Sequence, residues 1–100
     1  MTTSKQQIIK EIGDHIREEG SGYRVWYVGI SKDARDRLFN GHNVPEKNAW
    51  WIIRQASSES VAREIESYFV NSLGTDGGTG GGDQFSNKIY AYKKTAQTNP

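Results

Sequence analysis

Ile8, Ile9, Ile12 and Ile16 recur at spacings of three and four in an otherwise charged stretch, which draws one apolar stripe along a helix over residues 4–19. Ser4 or Thr3 can cap its start, and Gly20-Ser21-Gly22 ends it. The period then changes. Residues 24–30 place Val25, Tyr27 and Gly29 on one face and Trp26, Val28 and Ile30 on the other. Both faces are largely apolar, which predicts a central strand covered on each side. Ser31 or Asp33 caps a second helix to about residue 40, with Ala34 and Leu38 inward and Gly41 as terminator. The run Trp50-Trp51-Ile52-Ile53, between Pro45 and Ser57-Ser58, marks a strand over residues 49–56. A third helix follows over residues 59–73, closed by Gly74, with Val61, Ala62, Ile65, Phe69 and Leu73 inward. Residues 88–93 form a third strand with Tyr90 and Tyr92 on one face, and the tail from residue 95 is expected to fray. The elements add up to a single α+β domain, a small three-stranded antiparallel sheet flanked by helices.

Three positions or stretches do not fit that pattern. Glu66 lies four residues after Ala62 and three before Phe69, inside the apolar stripe, while Arg63, Glu64 and Ser67 take the wet face. A carboxylate aimed at a core is costly unless it is paired or ligates a cation. Asp14 and His15 sit beside the first stripe, but adjacent helical positions point about 100° apart, so both read as surface residues and not as a metal pair. The glycine-rich stretch over residues 74–83 has neither phosphate-loop pattern, and it reads as a connector in preference to an anion-binding nest.

Composition narrows the classes. One hundred residues with 34% hydrophobic content make one small domain, in which three tryptophans and five tyrosines must supply much of the core. Thirteen basic against twelve acidic side chains leave a net charge of +1, so any contact with a polyanion has to be a local patch. Without cysteine there is no disulfide framework and no thiolate zinc site. The longest apolar run is five residues and the start is polar, so a cytoplasmic protein without a membrane span is expected.

Tyr27-Val28-Gly29, then Ser31, Asp33, Arg37 and Leu38, is similar to the second signature of the GIY-YIG nuclease family, in which a strand tyrosine is followed ten residues later by a helical arginine. Glu66, within AREIE, resembles the family's metal-binding glutamate, which is likewise carried on a helix after a strand. The similarity runs from about Tyr27 to Phe69. It departs from the family at the first signature, because a helix and Gly20-Ser21-Gly22 stand where the GIY strand belongs. Ile89-Tyr90 within residues 88–93 resembles that strand placed at the other end of the chain, a circular permutation in which Tyr90 is the first tyrosine. The permutation requires residues 88–93 to pair with residues 24–30. The family's histidine follows the arginine by four residues, whereas His42 follows Arg37 by five, so it reaches the site only if the helix unwinds at Gly41. For the family's late asparagine, Asn71 and Asn87 are both candidates.

The resemblance implies a metal-dependent endonuclease that hydrolyses phosphodiester bonds in nucleic acid, DNA ahead of RNA. Its catalytic set would be Tyr27, Arg37, Tyr90, His42 and Glu66. Glu66 would hold one Mg²⁺ or Mn²⁺ ion, and Arg37 would bind the scissile phosphate. Tyr27 or Tyr90 would orient or deprotonate the attacking water, His42 would accept that tyrosine's proton, and Trp50, Trp51, Tyr23 or Tyr92 would stack on splayed bases. Taken singly, the tyrosines read as core aromatics, Arg37 as a solvated helix residue and Glu66 as its ion-pair partner. Two other functions stay open: a non-catalytic module that binds a phosphorylated nucleotide or a nucleic-acid end, and a small protein-interaction or inhibitor domain. A dimer would supply two sites for a two-strand break.

Overall fold

The computed structural model describes residues 4–77 and 86–99. Helix α1 spans Lys5–Glu19, with Ser4 Oγ accepting from the Gln7 amide at its start and Gly20, at φ 91°, closing it. A 3₁₀ turn, Tyr23–Val25, leads into strand β1, Trp26–Ser31. Helix α2 begins at Ala34–Asp36 under an Asp33 cap and continues as a π-helical turn, Arg37–Gly41. Strand β2 is Trp51–Gln55. Helix α3, Glu59–Ser67 with Ser58 as its cap, widens in the same way over Tyr68–Leu73 and stops at Gly74, φ 87°. Strand β3 is Lys88–Lys93.

All three strands pair antiparallel in the order β1-β3-β2, so the architecture is α+β. The middle strand is β3, and β1, expected at the centre, lies at the edge. Its apolar character on both faces reflects helices above and below it, and alternation cannot separate that from having a strand on each side. Its outer edge is closed by the chain leaving α3: the Val28 amide donates to the Asp76 carbonyl at 2.9 Å, and the Asp76 amide to the Trp26 carbonyl at 2.8 Å. That pairing blunts an edge which would otherwise offer free backbone groups. The start of the glycine-rich stretch is therefore tied to the sheet at Asp76, while residues 78–83 lie outside the described residues.

Helices α1 and α3 cover one face of the sheet. Ile8, Ile12 and Ile16 with Ala62, Ile65 and Phe69 pack on Trp26, Val28, Ile30, Ile52, Ile89 and Ala91. Each such isoleucine stabilises the fold by about 1.5–3 kcal/mol through burial. The opposite face carries Tyr27, Tyr90 and Tyr92 under Ala34, Leu38 and Val44. His15 is not a surface residue. It is wedged between Trp26 and Trp50, at ring separations of 5.6 and 5.1 Å, and burial pushes its pKa down. Asp14 is exposed, as expected, and pairs with Lys10 and Arg17.

Candidate active site

The strand register assembles the site. Across the β1–β3 pair Tyr27 faces Tyr92 and Gly29 faces Tyr90, which puts all four on the α2 side of the sheet. The Tyr27 ring lies nearly parallel to both, 5.2 Å from Tyr92 and 6.3 Å from Tyr90. Gly29 makes room for Tyr90: a Cβ there would stand 2.6 Å from both Cζ and the hydroxyl oxygen of that ring.

His42 arrives from α2, and the extra residue in its spacing is absorbed without unwinding. The His42 amide donates to the Arg37 carbonyl at 2.8 Å, five residues back, so the last turn is a π turn that carries the inserted residue. Gly41 is that residue. A Cβ on it would come within 3.1 Å of Arg37 Cδ, so glycine lets the arginine stem lie along the widened turn. The imidazole then sits 4.6 Å from the Tyr27 ring and touches both other tyrosines.

The hydrogen bonds of His42 define its tautomer. Nδ1 lies 2.7 Å from the Asn99 carbonyl oxygen, which can only accept, so Nδ1 carries the proton. The Tyr92 hydroxyl oxygen, 2.9 Å away, shares that N–H as a second acceptor. Nε2 therefore presents its lone pair to the Tyr90 hydroxyl, which donates to it at 2.9 Å. Burial, with the Arg37 charge adding to it and the Asn99 carbonyl opposing it, holds the imidazole pKa below its usual value, so the ring is neutral at pH 7. Burial likewise raises the Tyr90 and Tyr92 hydroxyls, in each case with neighbouring tyrosines adding to the effect. At Tyr90 the Arg37 charge opposes that rise, and the Glu66 charge adds to it.

Glu66 is 9% exposed, and its Oε2 is buried with no hydrogen-bond partner. Burial raises its pKa to about 7, and Arg63, the charge that opposes this, is already engaged by Glu59. None of the ion pairs among the described residues joins Glu66 to Arg37. An inward carboxylate oxygen without a donor either keeps a proton, as the raised pKa allows, or ligates a cation.

Tyr27, Tyr90 and His42 thus share one cluster, and the Arg37 and Glu66 charges act on it at Tyr90. Of the asparagine candidates, Asn71 is exposed with its amide donating to Ser67 Oγ, and Asn87 stands just before β3, its backbone carbonyl accepting from the Ala56 amide. Residues 95–99 of the tail, expected to fray, are tied back onto the domain. The Asn99 amide donates to the His42 carbonyl at 2.7 Å, Asn43 Nδ2 reaches the Gln97 carbonyl at 2.9 Å, and the tail so held supplies the acceptor that orients the histidine. Tyr92 has no exposed surface and cannot stack on a base, and the Tyr23 hydroxyl is held by Arg17. Trp50 is 39% exposed and so is not a core plug, while Trp51 is half-buried edge-on to Phe39.

Comparison of the chain with protein-family models, with curated proteins and with solved structures finds no match. Among the described residues no helix is long and apolar enough to cross a membrane.

Proposed function

We propose that the protein is a metal-dependent endonuclease of the GIY-YIG kind, circularly permuted so that its first tyrosine strand is β3. The observation that carries this reading is the Tyr90 hydroxyl, which donates to a neutral His42 Nε2 at 2.9 Å and feels the charges of both Arg37 and Glu66, the latter with its Oε2 buried and unpartnered. The antiparallel pairing of β3 with β1, which the permutation requires, supports it.

In this reading Tyr90 is a relay. Its own pKa is too high for it to stand as a phenolate at neutral pH. It passes its proton to His42 Nε2 as it takes one from the attacking water, so the proton ends on the imidazole, the water oxygen bonds to phosphorus, and the bond from phosphorus to the leaving sugar oxygen breaks, that oxygen taking its proton from solvent. Arg37 holds the phosphoryl oxygens on which charge accumulates. Glu66 would hold a Mg²⁺ or Mn²⁺ ion through one protein oxygen, the rest of the shell being water and phosphate; when bound, the ion supplies positive charge at the phosphate and leaving oxygen. Among the described residues no group of three His, Cys, Asp or Glu side chains forms, so Glu66 would serve as a single carboxylate ligand.

The test is cleavage of plasmid, single-stranded DNA and RNA with Mg²⁺ or Mn²⁺ against chelator. The expected result is metal-dependent scission that Arg37→Ala slows by about 10²–10³-fold. A folded wild type that is inert on all three substrates overturns the assignment. The pH profile gives a second check. His42 must be neutral to accept, so at saturating metal the rate rises with pH through its titration and levels off above it. Because its folded pKa is depressed, that limb lies below the ordinary imidazole value. His42→Gln is expected to lose the limb and about 10²–10⁴ in rate; an unchanged limb in this variant would assign it to another group.

A further inference from the structure

On the sheet face that carries the tyrosines, a groove of about 610 Å³ opens between the start of α2 and β2. Its walls hold Lys32, Arg35, Arg54 and Lys88 around Trp51 and Ile53. It adjoins the tyrosine cluster directly, since Ile53 pairs with Tyr90 across the sheet and Lys88 is two residues before Tyr90 on the same face.

A chain of net charge +1 thus gathers four of its thirteen basic side chains in one concavity. The acid in its lining, Asp33, is occupied, its Oδ1 accepting from the Asp36 amide. Glu46 holds Arg35 at 3.0 Å, whereas Arg54, which shares the face of Ile52 on β2, is drawn toward α1 by Glu11 at 2.5 Å, so that Lys32, Arg35 and Lys88 are the cations on the tyrosine side. None of the ion pairs among the described residues uses Lys32 or Lys88, and Lys88 Nζ is anchored on the Lys32 carbonyl at 3.1 Å. The Arg35 guanidinium lies 5.8 Å above the Trp51 ring. The groove therefore offers anion sites beside flat cationic and aromatic surfaces, which matches a nucleotide with its phosphate and base.

We propose that this groove binds one or two nucleotides of an unpaired strand next to the phosphodiester held at Tyr90, with phosphate oxygens on Lys32 and Lys88 and a base against Arg35 and Trp51. The substrate class of the site is then single-stranded nucleic acid. A base inside a duplex has its faces stacked and its edge paired, so only an unpaired base can enter the concavity and meet those planes. This inference rests on the nuclease reading for the identity of its anion, and it is measured without turnover so that the two can fail separately.

The measurement is fluorescence-anisotropy binding of labelled ten-nucleotide probes (single-stranded DNA, single-stranded RNA and duplex DNA) in chelator over a salt series. The wild type is compared with Lys32→Glu/Lys88→Glu and with Lys5→Glu/Lys10→Glu, a charge-matched pair on α1, after thermal melts confirm folding. Binding of a single-stranded probe at least about tenfold tighter than duplex is expected, the two sugar arms naming the nucleic acid. The groove pair should weaken it about tenfold or more and make the log–log salt slope shallower by about 1.4, for two lost phosphate contacts. The α1 pair should change affinity less than about threefold. Equal loss in both pairs, or duplex binding as tight as single strand, overturns the groove. Cleavage that survives the groove reversal unchanged overturns the groove alone, whereas groove-dependent binding by an inert wild type overturns the nuclease reading alone.

Discussion

At pH 8 and without divalent metal, Glu66→Gln is expected to be more stable than the wild type by about 3 kcal/mol. Burial raises the folded-state pKa of Glu66 from 4.5 to about 7, and its Oε2 has no donor to offset that burial. The folded chain therefore keeps a proton that the unfolded chain has released. The stabilisation from holding it is fully present below pH 4.5 and is lost as pH rises through about 7. Glutamine has the shape of the protonated acid and never ionises. The advantage of the variant should consequently vanish near pH 4 and be full at pH 8, as read by urea denaturation at the two values. Saturating Mg²⁺ or Mn²⁺ at pH 8 should close the gap by stabilising the ionised wild type alone. The same substitution is expected to abolish cleavage, a case of a site kept at the expense of stability. An advantage that does not change with pH would mean that Glu66 is not an isolated buried carboxylate.

Gly29→Ala is expected to cost about 1–3 kcal/mol of stability and at least about a hundredfold in cleavage rate. Alanine is ordinarily harmless in a strand, and the effect here comes from one neighbour. The new Cβ would stand 2.6 Å from the Tyr90 ring carbon and hydroxyl, and Tyr90 lies in the middle strand with 2% of its surface exposed. The ring must then leave its bond to His42 Nε2 or the β1–β3 pair must part. A double-mutant cycle with Tyr90→Leu separates this account from a general intolerance of Gly29. Removing the hydroxyl and the ring relieves the contact, so the combined destabilisation should be smaller than the sum of the single effects. Strict additivity would show that Gly29 and Tyr90 do not meet.

Much of the frame is readable from local pattern. The isoleucine stripe of α1, the Ser58 cap, the Gly74 stop and the bounds of β3 each follow from one residue type at one spacing. Glu66 is legible for the opposite reason, as a charge where periodicity demands an apolar side chain. What is not legible depends on partners distant in sequence. Nothing in residues 24–30 says whether a strand or a loop lies on their outer edge, so β1 reads as central while Asp76 takes that place. The tail reads as frayed because the two bonds of Asn99 to His42, one to its carbonyl and one from its ring, span 57 residues. The five-residue step from Arg37 to His42 reads as an obstacle, since a regular helix turn would carry His42 off the face. A π turn absorbs one residue, and the only local signal for it is a glycine at the inserted position. Tyr92 was identifiable as sharing a face with Tyr90, but its complete burial comes from the packing of Leu38, Val44 and His42 above it.

The most direct test of the central claim is the cleavage rate of Tyr90→Phe at saturating Mg²⁺ or Mn²⁺ and pH 8, measured beside its urea denaturation curve. The substitution removes one oxygen and keeps the ring against Gly29 and Tyr27. A rate lower by about 10²–10⁴-fold, with stability changed by about 1 kcal/mol, is the result expected if this hydroxyl relays the water's proton to His42. A variant that cuts as fast as the wild type would contradict the account at its centre.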